Sequence, residues 1–301
     1  MYSTAAILAV TGTGEWGMRF STVRPVVLGA VLIYLIGRRL FRREWLAIAC
    51  AALFVATPAL FAHARIAGDG PYPLPFVLLW LYCLLAFRDR PRTWLLFLAG
   101  LALGLGVYTQ PGAPITMAFL VVLGVAVLRA LGHAAARTIA AMAAGFVLPL
   151  LIMMPWFISQ PDTYRETMGR WAILQAHIRF PLDGLRAFVN WTTLGQRASL
   201  YWGFFDPSWL FFSGPVNTGV LRGAAPFLLP MAALVPLGIA QAVKRDSATA
   251  IVLIGGLLIA PMAAATLGVS HNIGQAMPVV AFAALLAGFG VERLIAFRVK
   301  Q

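Results

Sequence analysis

Ten carboxylates and four histidines are the groups best able to move a proton near neutral pH in this chain of 301 residues. Asp69 stands out among them. It lies in His63-Ala64-Arg65-Ile66-Ala67-Gly68-Asp69-Gly70-Pro71, where Gly and Pro punctuate a tight turn between two apolar runs. A carboxylate at the mouth of an apolar bundle is costly to bury and tends to have a purpose, proton transfer being the chemistry open to it. The plain alternative is an exposed turn charge paired with Arg65. His63, His177 and His271 share the side of Asp69, but no two lie within one helical turn, so no metal site is expected.

A second group of residues suits anions and sugars. The segment 158–224 carries Arg165, Arg170 and Arg179 among Trp171, Phe180, Trp191, Tyr201 and Trp202. It continues into Asp206-Pro207-Ser208-Trp209-Leu210-Phe211-Phe212-Ser213-Gly214. Guanidinium forks fit phosphate, and aromatic faces pack on sugar rings. The same mixture suits a surface lying on lipid headgroups. Composition alone leaves both readings open.

The elements that must position these residues follow from composition. Hydrophobic residues make up 61% of the chain and charged residues 11%, against about 25% charged in soluble domains. So little charge cannot cover a water-facing surface. Disorder is excluded by the same numbers, and a disulfide scaffold by a total of two cysteines. Cys50 and Cys83 both fall in apolar runs and read as small core residues. The net charge of +13 is not a nucleic-acid signal. No basic stripe interleaved with aromatics, no zinc-ligand pair and no Gly-rich phosphate loop ending in Lys accompanies it.

Nine apolar runs stand out, at about 22–37, 45–62, 73–87, 93–109, 115–131, 137–157, 225–243, 248–268 and 274–291. Fourteen basic residues mark alternate links: Arg38, Arg39, Arg42, Arg43, Arg88, Arg90, Arg92, Arg129, Arg137, Lys244, Arg245, Arg293, Arg298 and Lys300. The other short links hold Arg65 alone. Basic links face the cytoplasm. The expectation is an all-α integral membrane protein, a polytopic bundle of about nine spans in the bacterial inner membrane. Residues 1–21 and the long loop 158–224 then lie on the periplasmic side. Gly100 and Gly104 form a small-xxx-small pair suited to close helix packing. An odd number of spans puts the N-terminus outside, yet residues 1–20 carry no signal peptide and Met1–Val10 is too short to span. The sequence therefore predicts a single transmembrane domain over residues 1–301, N-terminally truncated, with a helix upstream of Met1.

Several stretches, in this order and with this sidedness, resemble one superfamily. Gly14-Glu15-Trp16-Gly17-Met18-Arg19-Phe20 leads to Leu35-Ile36-Gly37-Arg38-Arg39-Leu40-Phe41. Then come Ala64-Arg65-Ile66-Ala67-Gly68-Asp69, Gly100-Leu101-Ala102-Leu103-Gly104-Leu105-Gly106-Val107-Tyr108-Thr109, and the Leu210-Phe211-Phe212-Ser213-Gly214 stretch. They resemble the GT-C glycosyltransferases that use polyprenyl-phosphate sugars, namely the bacterial relatives of protein O-mannosyltransferases and of the lipid A aminoarabinose transferase. The resemblance runs from about residue 12 to 296.

It implies an inverting transfer of a sugar from a polyprenyl-phosphate donor to a lipid, glycan or protein acceptor on the periplasmic face, without a nucleotide or other cofactor. Asp69 would take the acceptor's proton. Arg19, Arg65, Arg170 and Arg179 would hold the donor phosphate. Glu15, His63, Tyr108, Gln110, His177, Asp206 and His271 would line the cleft. Two departures stand out: Gln110 replaces a basic or aromatic residue, and Pro215 an acidic one. Relatives carry their principal carboxylate in a first outer loop that would lie upstream of Met1, so the chain by itself is expected to be inactive. A transporter or flippase of lipid-linked intermediates is the rival, but the internal repeats of transporters are not found. A non-catalytic membrane scaffold is a third reading.

The charge asymmetry generates a topology test. Cysteines placed at positions 112 and 270 should react with a membrane-impermeant thiol reagent applied from the periplasm, and one at position 90 should not. Labelling at 90 in intact cells overturns the orientation.

Overall fold

The computed structural model describes residues 2–12, 14–66, 68–159, 191–212, 224–266, 268 and 271–298. Among them all regular structure is α-helical. A bilayer requires this, because backbone groups there have no water to pair with. The chain runs through α1 (Tyr2–Thr11), α2 (Glu15–Leu40), α3 (Glu44–Ala56), α4 (Pro58–Arg65), α5 (Leu74–Asp89), α6 (Thr93–Gly106), α7 (Ala113–Ala130) and α8 (Ala136–Ser159). It resumes with α9 (Trp191–Gly203), α10 (Pro207–Phe211), α11 (Met231–Arg245), α12 (Ser247–Ile259), α13 (Met262–Thr266) and α14 (Pro278–Arg298).

Five described stretches are long and apolar enough to cross a membrane: α2, α7, most of α8, α12 continued through α13, and α14. The pair α3–α4 adds a sixth, bent by 57°. The remaining three expected crossings fall on α5, α6 and α11, with 16, 14 and 15 residues. These are shorter than the roughly 20 residues a bilayer asks for.

Two helices form the centre. α5 is buried nearly all round, with Leu74, Leu78, Trp80, Leu81 and Cys83 through Phe87 inaccessible or almost so. α14 is buried continuously from Val279 to Gly290. Cys50 and Cys83 are free and buried, as small core residues. The periphery is apolar instead of polar: Leu148, Leu151, Ile152 and Met154 of α8 are exposed, the pattern of a surface facing lipid tails.

Since hydrocarbon outside is as apolar as the core, helices are held by close packing and not by the hydrophobic effect. The structure shows two such seams. A methyl group at Gly100 or Gly104 of α6 would fall on the carbonyls of Met142 or Phe146 in α8, and one at Gly145 on the carbonyl of Phe97. This is the close packing expected of the Gly100–Gly104 spacing. Gly238 and Gly290 form the second seam, each against a carbonyl of the other's helix, Leu286 of α14 and Leu234 of α11.

The basic links gather at one end of the bundle. Arg39 at the end of α2 pairs with Asp89 at 2.8 Å. Arg88 reaches Asp246 at 3.4 Å and the Thr249 hydroxyl at 2.8 Å. Arg245 reaches Glu292 at 3.0 Å, and the Tyr34 hydroxyl donates to Glu44 at 2.6 Å. Asp89, Asp246 and Glu292 thus tie α2 to α5, α5 to α12, and α11 to α14, while the exposed Glu44 joins the start of α3 to α2.

Asp246 also caps α12, accepting from the amides of Ala248 (3.2 Å) and Thr249 (3.1 Å). Partial burial works to raise its pKa, but the Thr249 hydroxyl and amide, the Ala248 amide and Arg88 outweigh it and hold the carboxyl below its usual range. A depressed carboxylate stabilises above its unfolded pKa and loses that contribution as pH falls through its folded one. Its side chain is 37% exposed, so the effect is screened. Asp246→Ala should therefore cost about 1 kcal/mol at neutral pH. The gap in thermal midpoint between variant and parent should narrow as pH falls below about 4. A gap that stays constant down to about pH 3 would mean that the ionised carboxylate contributes nothing there.

Candidate functional site

At the opposite end the helices break and polar side chains turn inward. The first break is at Thr57-Pro58. Proline has no amide to bond the Phe54 carbonyl and forces the preceding residue to be extended, as Thr57 is at φ −62°, ψ 123°. The Thr57 hydroxyl instead donates to the Leu53 carbonyl at 2.7 Å. Across the break, the Ala59 amide donates to the Pro226 carbonyl at 3.0 Å. α4 thus leaves the axis of α3 and carries His63 to the turn that holds Asp69. Nδ1 of His63 donates to the Ala59 carbonyl at 2.8 Å, which leaves Nε2 of the neutral ring as an acceptor.

The hub of the site is the segment 271–277. Its Gly274 abuts Gly70, so closely that a β-carbon on Gly70 would lie 3.2 Å from the Gly274 Cα. A β-carbon on Gly274 would lie 3.2 Å from His63 Nε2. The turn with Asp69 therefore docks directly on the hub. The turn after α6 docks beside it: Nε2 of Gln110 donates to the Gln275 carbonyl at 3.3 Å. Ser21 and Thr22, buried on α2, bind the Asp69 turn from the other side through the Tyr72 hydroxyl (3.2 Å) and the Ala64 carbonyl (3.0 Å).

The hub begins with a backbone outlier. His271 has φ +54°, a left-handed conformation uncommon for residues other than glycine. Strain of this kind persists only where the surroundings hold it and is a pointer to function. The His271 ring lies 4.8 Å from the Trp209 ring and 6.4 Å from that of Phe204. Asp206 caps α10, accepting from the Ser208 amide (2.9 Å) and hydroxyl (2.8 Å). These hydrogen bonds, with a smaller contribution from His271, hold its carboxyl below the usual range.

Three buried polar atoms around this hub have no hydrogen-bond partner among the described residues: Oε1 of Gln110, Oε1 of Gln275 and Nε1 of Trp209. Buried polar atoms are nearly always paired. Two acceptors and a donor, the donor on a ring packed against His271, are groups that suit a ligand rich in hydroxyl groups.

The structure thus brings Asp69, His63, Gln110, His271 and Asp206 around one hub. Asp69 is exposed and makes no ion pair with Arg65. The Arg65 guanidinium lies over the Phe61 ring at 5.4 Å, so the paired-charge alternative does not describe this turn. Glu15 and Arg19 pair with each other on an exposed face of α2, beside a cavity of about 420 Å³ walled by Trp16, Phe20 and Val23. The Tyr108 hydroxyl donates to the Pro149 carbonyl at 2.5 Å, bracing its turn against α8. Arg170, His177 and Arg179 lie outside the described residues. Sequence reading missed Gln275. The available signal was a polar side chain within the apolar run 274–291, where polarity is costly.

Dolichyl-phosphate-mannose-protein mannosyltransferases, as a family, match residues 3–163. Curated relatives include an undecaprenyl phosphate-alpha-4-amino-4-deoxy-L-arabinose arabinosyl transferase of Pseudomonas aeruginosa (strain LESB58), 26% identical over 309 residues, which cover 95% of this chain and 48% of that protein. The protein of the same name from strain UCBPP-PA14 is 27% identical over 203 residues, 65% of this chain and 30% of its own. The chain therefore spans about half the length, or less, of these relatives. No solved structure matches it. The matched stretch covers more than half of the chain and holds His63, Asp69 and Gln110, with the helices that carry them. The chain belongs to the dolichyl-phosphate-mannose-protein mannosyltransferase family.

Proposed function

We propose that this protein transfers a sugar from a polyprenyl-phosphate donor to an acceptor hydroxyl, at the end of the bundle opposite its basic links. The observation that carries the reading is the docking of the Asp69 turn onto a hub with buried, unpaired polar atoms, in a chain of this family. The acceptor oxygen attacks the anomeric carbon from the face opposite the phosphate. The bond from that carbon to the phosphate oxygen breaks, the lipid phosphate leaves with the electron pair, and the anomeric centre inverts. Asp69 takes the acceptor's proton.

The phosphate is assigned to Arg65 and Arg19, with Arg170 and Arg179 as further candidates. They stabilise the charge that develops on the leaving group. Gln110, Gln275 and Trp209 bind sugar or acceptor hydroxyls, with His63, His271 and Asp206 around them. The membrane is the bacterial inner membrane, crossed about nine times, with α5, α6 and α11 spanning despite their length. Basic links face the cytoplasm, and the site faces the periplasm. Gathering of those links at one end of the bundle supports this arrangement.

The test uses the protein with all the sequence its natural gene gives it, in lipid, with polyprenyl-phosphate sugars and candidate acceptors. Asp69→Asn should cut turnover by about 10²-fold or more and leave the thermal midpoint unchanged. Gln275→Leu separates binding from structure. Its side-chain oxygen has no partner among the described residues, so replacement should maintain or raise stability. Transfer should fall about tenfold, one hydrogen bond's worth. Full turnover by Asp69→Asn would return that residue to a turn charge and remove the proposed base.

A further inference from the structure

The basic end of the bundle holds a second site. Between the ends of α2 and α5 and the start of α6 lies a cavity of about 570 Å³, lined by Arg39, Tyr82, Asp89, Arg90, Arg92 and Trp94. Three guanidinium groups face one carboxylate. That carboxylate is already engaged twice, by Arg39 at 2.8 Å and by Arg88 at 3.3 Å. Arg39 is engaged as well, donating to the Tyr82 hydroxyl at 2.9 Å and lying over its ring at 4.5 Å. Arg90 and Arg92 have no ion pair among the described residues. Other basic residues at this end, Arg42 and Arg43 among them, also have no ion pair among the described residues, whereas Arg245 is matched by Glu292 and Arg88 by Asp246. This cavity, however, gathers three arginines against one carboxylate in a single lining, a surplus of two positive charges.

Its surroundings identify the anion. Trp94 is 56% exposed and Phe97, one turn deeper on α6, is 37% exposed. An exposed tryptophan at the first turn of an apolar helix marks headgroup depth. A free anion gains nothing from an apolar stripe leading out of its site, but a lipid does. We propose that this cavity binds the phosphodiester headgroup of an anionic diacyl phospholipid. Arg90 and Arg92 fork onto the phosphate, Arg39 and Tyr82 form the floor, and the acyl chains run along Trp94 and Phe97. Basic pockets between helix ends are suited to such headgroups. The inference is independent of the transfer reaction, since no residue of that site takes part.

The test measures lipid binding by the 301-residue chain, using native mass spectrometry and thermal midpoints with phosphatidylglycerol or phosphatidylcholine. Phosphatidylglycerol should bind saturably and raise the midpoint, and phosphatidylcholine should do neither. Arg90→Gln with Arg92→Gln should weaken phosphatidylglycerol by about 25-fold, from about fivefold per basic group at an anionic bilayer surface. Arg42→Gln with Arg43→Gln removes equal charge from the same end outside the cavity and should cost about twofold at most. Arg90→Lys with Arg92→Lys keeps the charge and loses the fork. It should fall between the two and guards against a misfolded glutamine pair. Equal losses from both glutamine pairs would make the effect a general surface charge and overturn the site. Equal stabilisation by inorganic phosphate alone would overturn the lipid.

Discussion

Hydrocarbon offers no hydrogen bonds, and this one fact decides where the protein can do chemistry. Within the bilayer each backbone group must be paired inside its own helix. Irregular backbone, and the polar side chains it carries, can stand only where helices break or end against other protein. Thr57-Pro58 shows the cost and its solution. The carbonyl freed by proline and the amide that opens α4 sit among protein groups, one of them the Pro226 carbonyl 3.0 Å away. The Thr57 side chain satisfies part of its own turn. A break supported in this way is fixed in direction, so His63 arrives at the Asp69 turn with a defined ring orientation.

The same solvent removes the usual force that holds helices together. Contact between backbones replaces it, and glycine is the residue that permits such contact. The two glycine seams join α6 to α8 and α11 to α14. Their positions matter for the site. α6 leads directly into the turn with Gln110, and the hub with Gln275 leads directly into α14. Fixing α6 and α14 fixes the ends from which those two segments spring. The hydrogen bond from Gln110 to the Gln275 carbonyl is one of the contacts by which the two halves of the chain close on each other. A bulky residue in either seam would therefore act at a distance on the site.

Much of the architecture was legible in the sequence, because lipid makes strict demands on composition. Apolar runs fell on helices, the Gly100–Gly104 spacing on a close contact, and the basic links on one end. Asp69 and His63 were legible because Gly and Pro around them announced a turn. The pairing of Asp89 with Arg39, fifty residues away, was not. Neither was the contact of Gly238 with α14. Local spacing says nothing about which helix comes to lie beside which. Gln275 was hidden by its surroundings: inside an apolar run it reads as one polar exception among helix-forming residues. Its meaning comes from Gln110 and Gly70, which are remote in sequence. The strain at His271 was invisible too, since backbone angle is not written in residue type unless the residue is glycine.

The two ends of the bundle use polar groups in opposite ways. At the basic end most acidic groups are matched, and Asp246 alone joins a cap, a hydroxyl and an arginine. Matched charges bring stability and are not free for a ligand, so binding at that end falls to exposed, unmatched arginines such as Arg90 and Arg92. At the other end two buried amide oxygens and an indole N–H have no partner among the described residues, beside a histidine held in a left-handed conformation. Each of these features costs folding energy. A fold tolerates such costs where they serve binding, and offsets them elsewhere. Here the seams and the charge clasps are in the right places to offset them. They bind the helices and leave the hub itself unsatisfied. Polarity alone would not have distinguished the two ends, for both are rich in it. The distinction lies in what each polar atom is already bonded to and how deeply it lies: the unpaired groups of the hub are buried and uncharged, while those of the basic end are exposed cations.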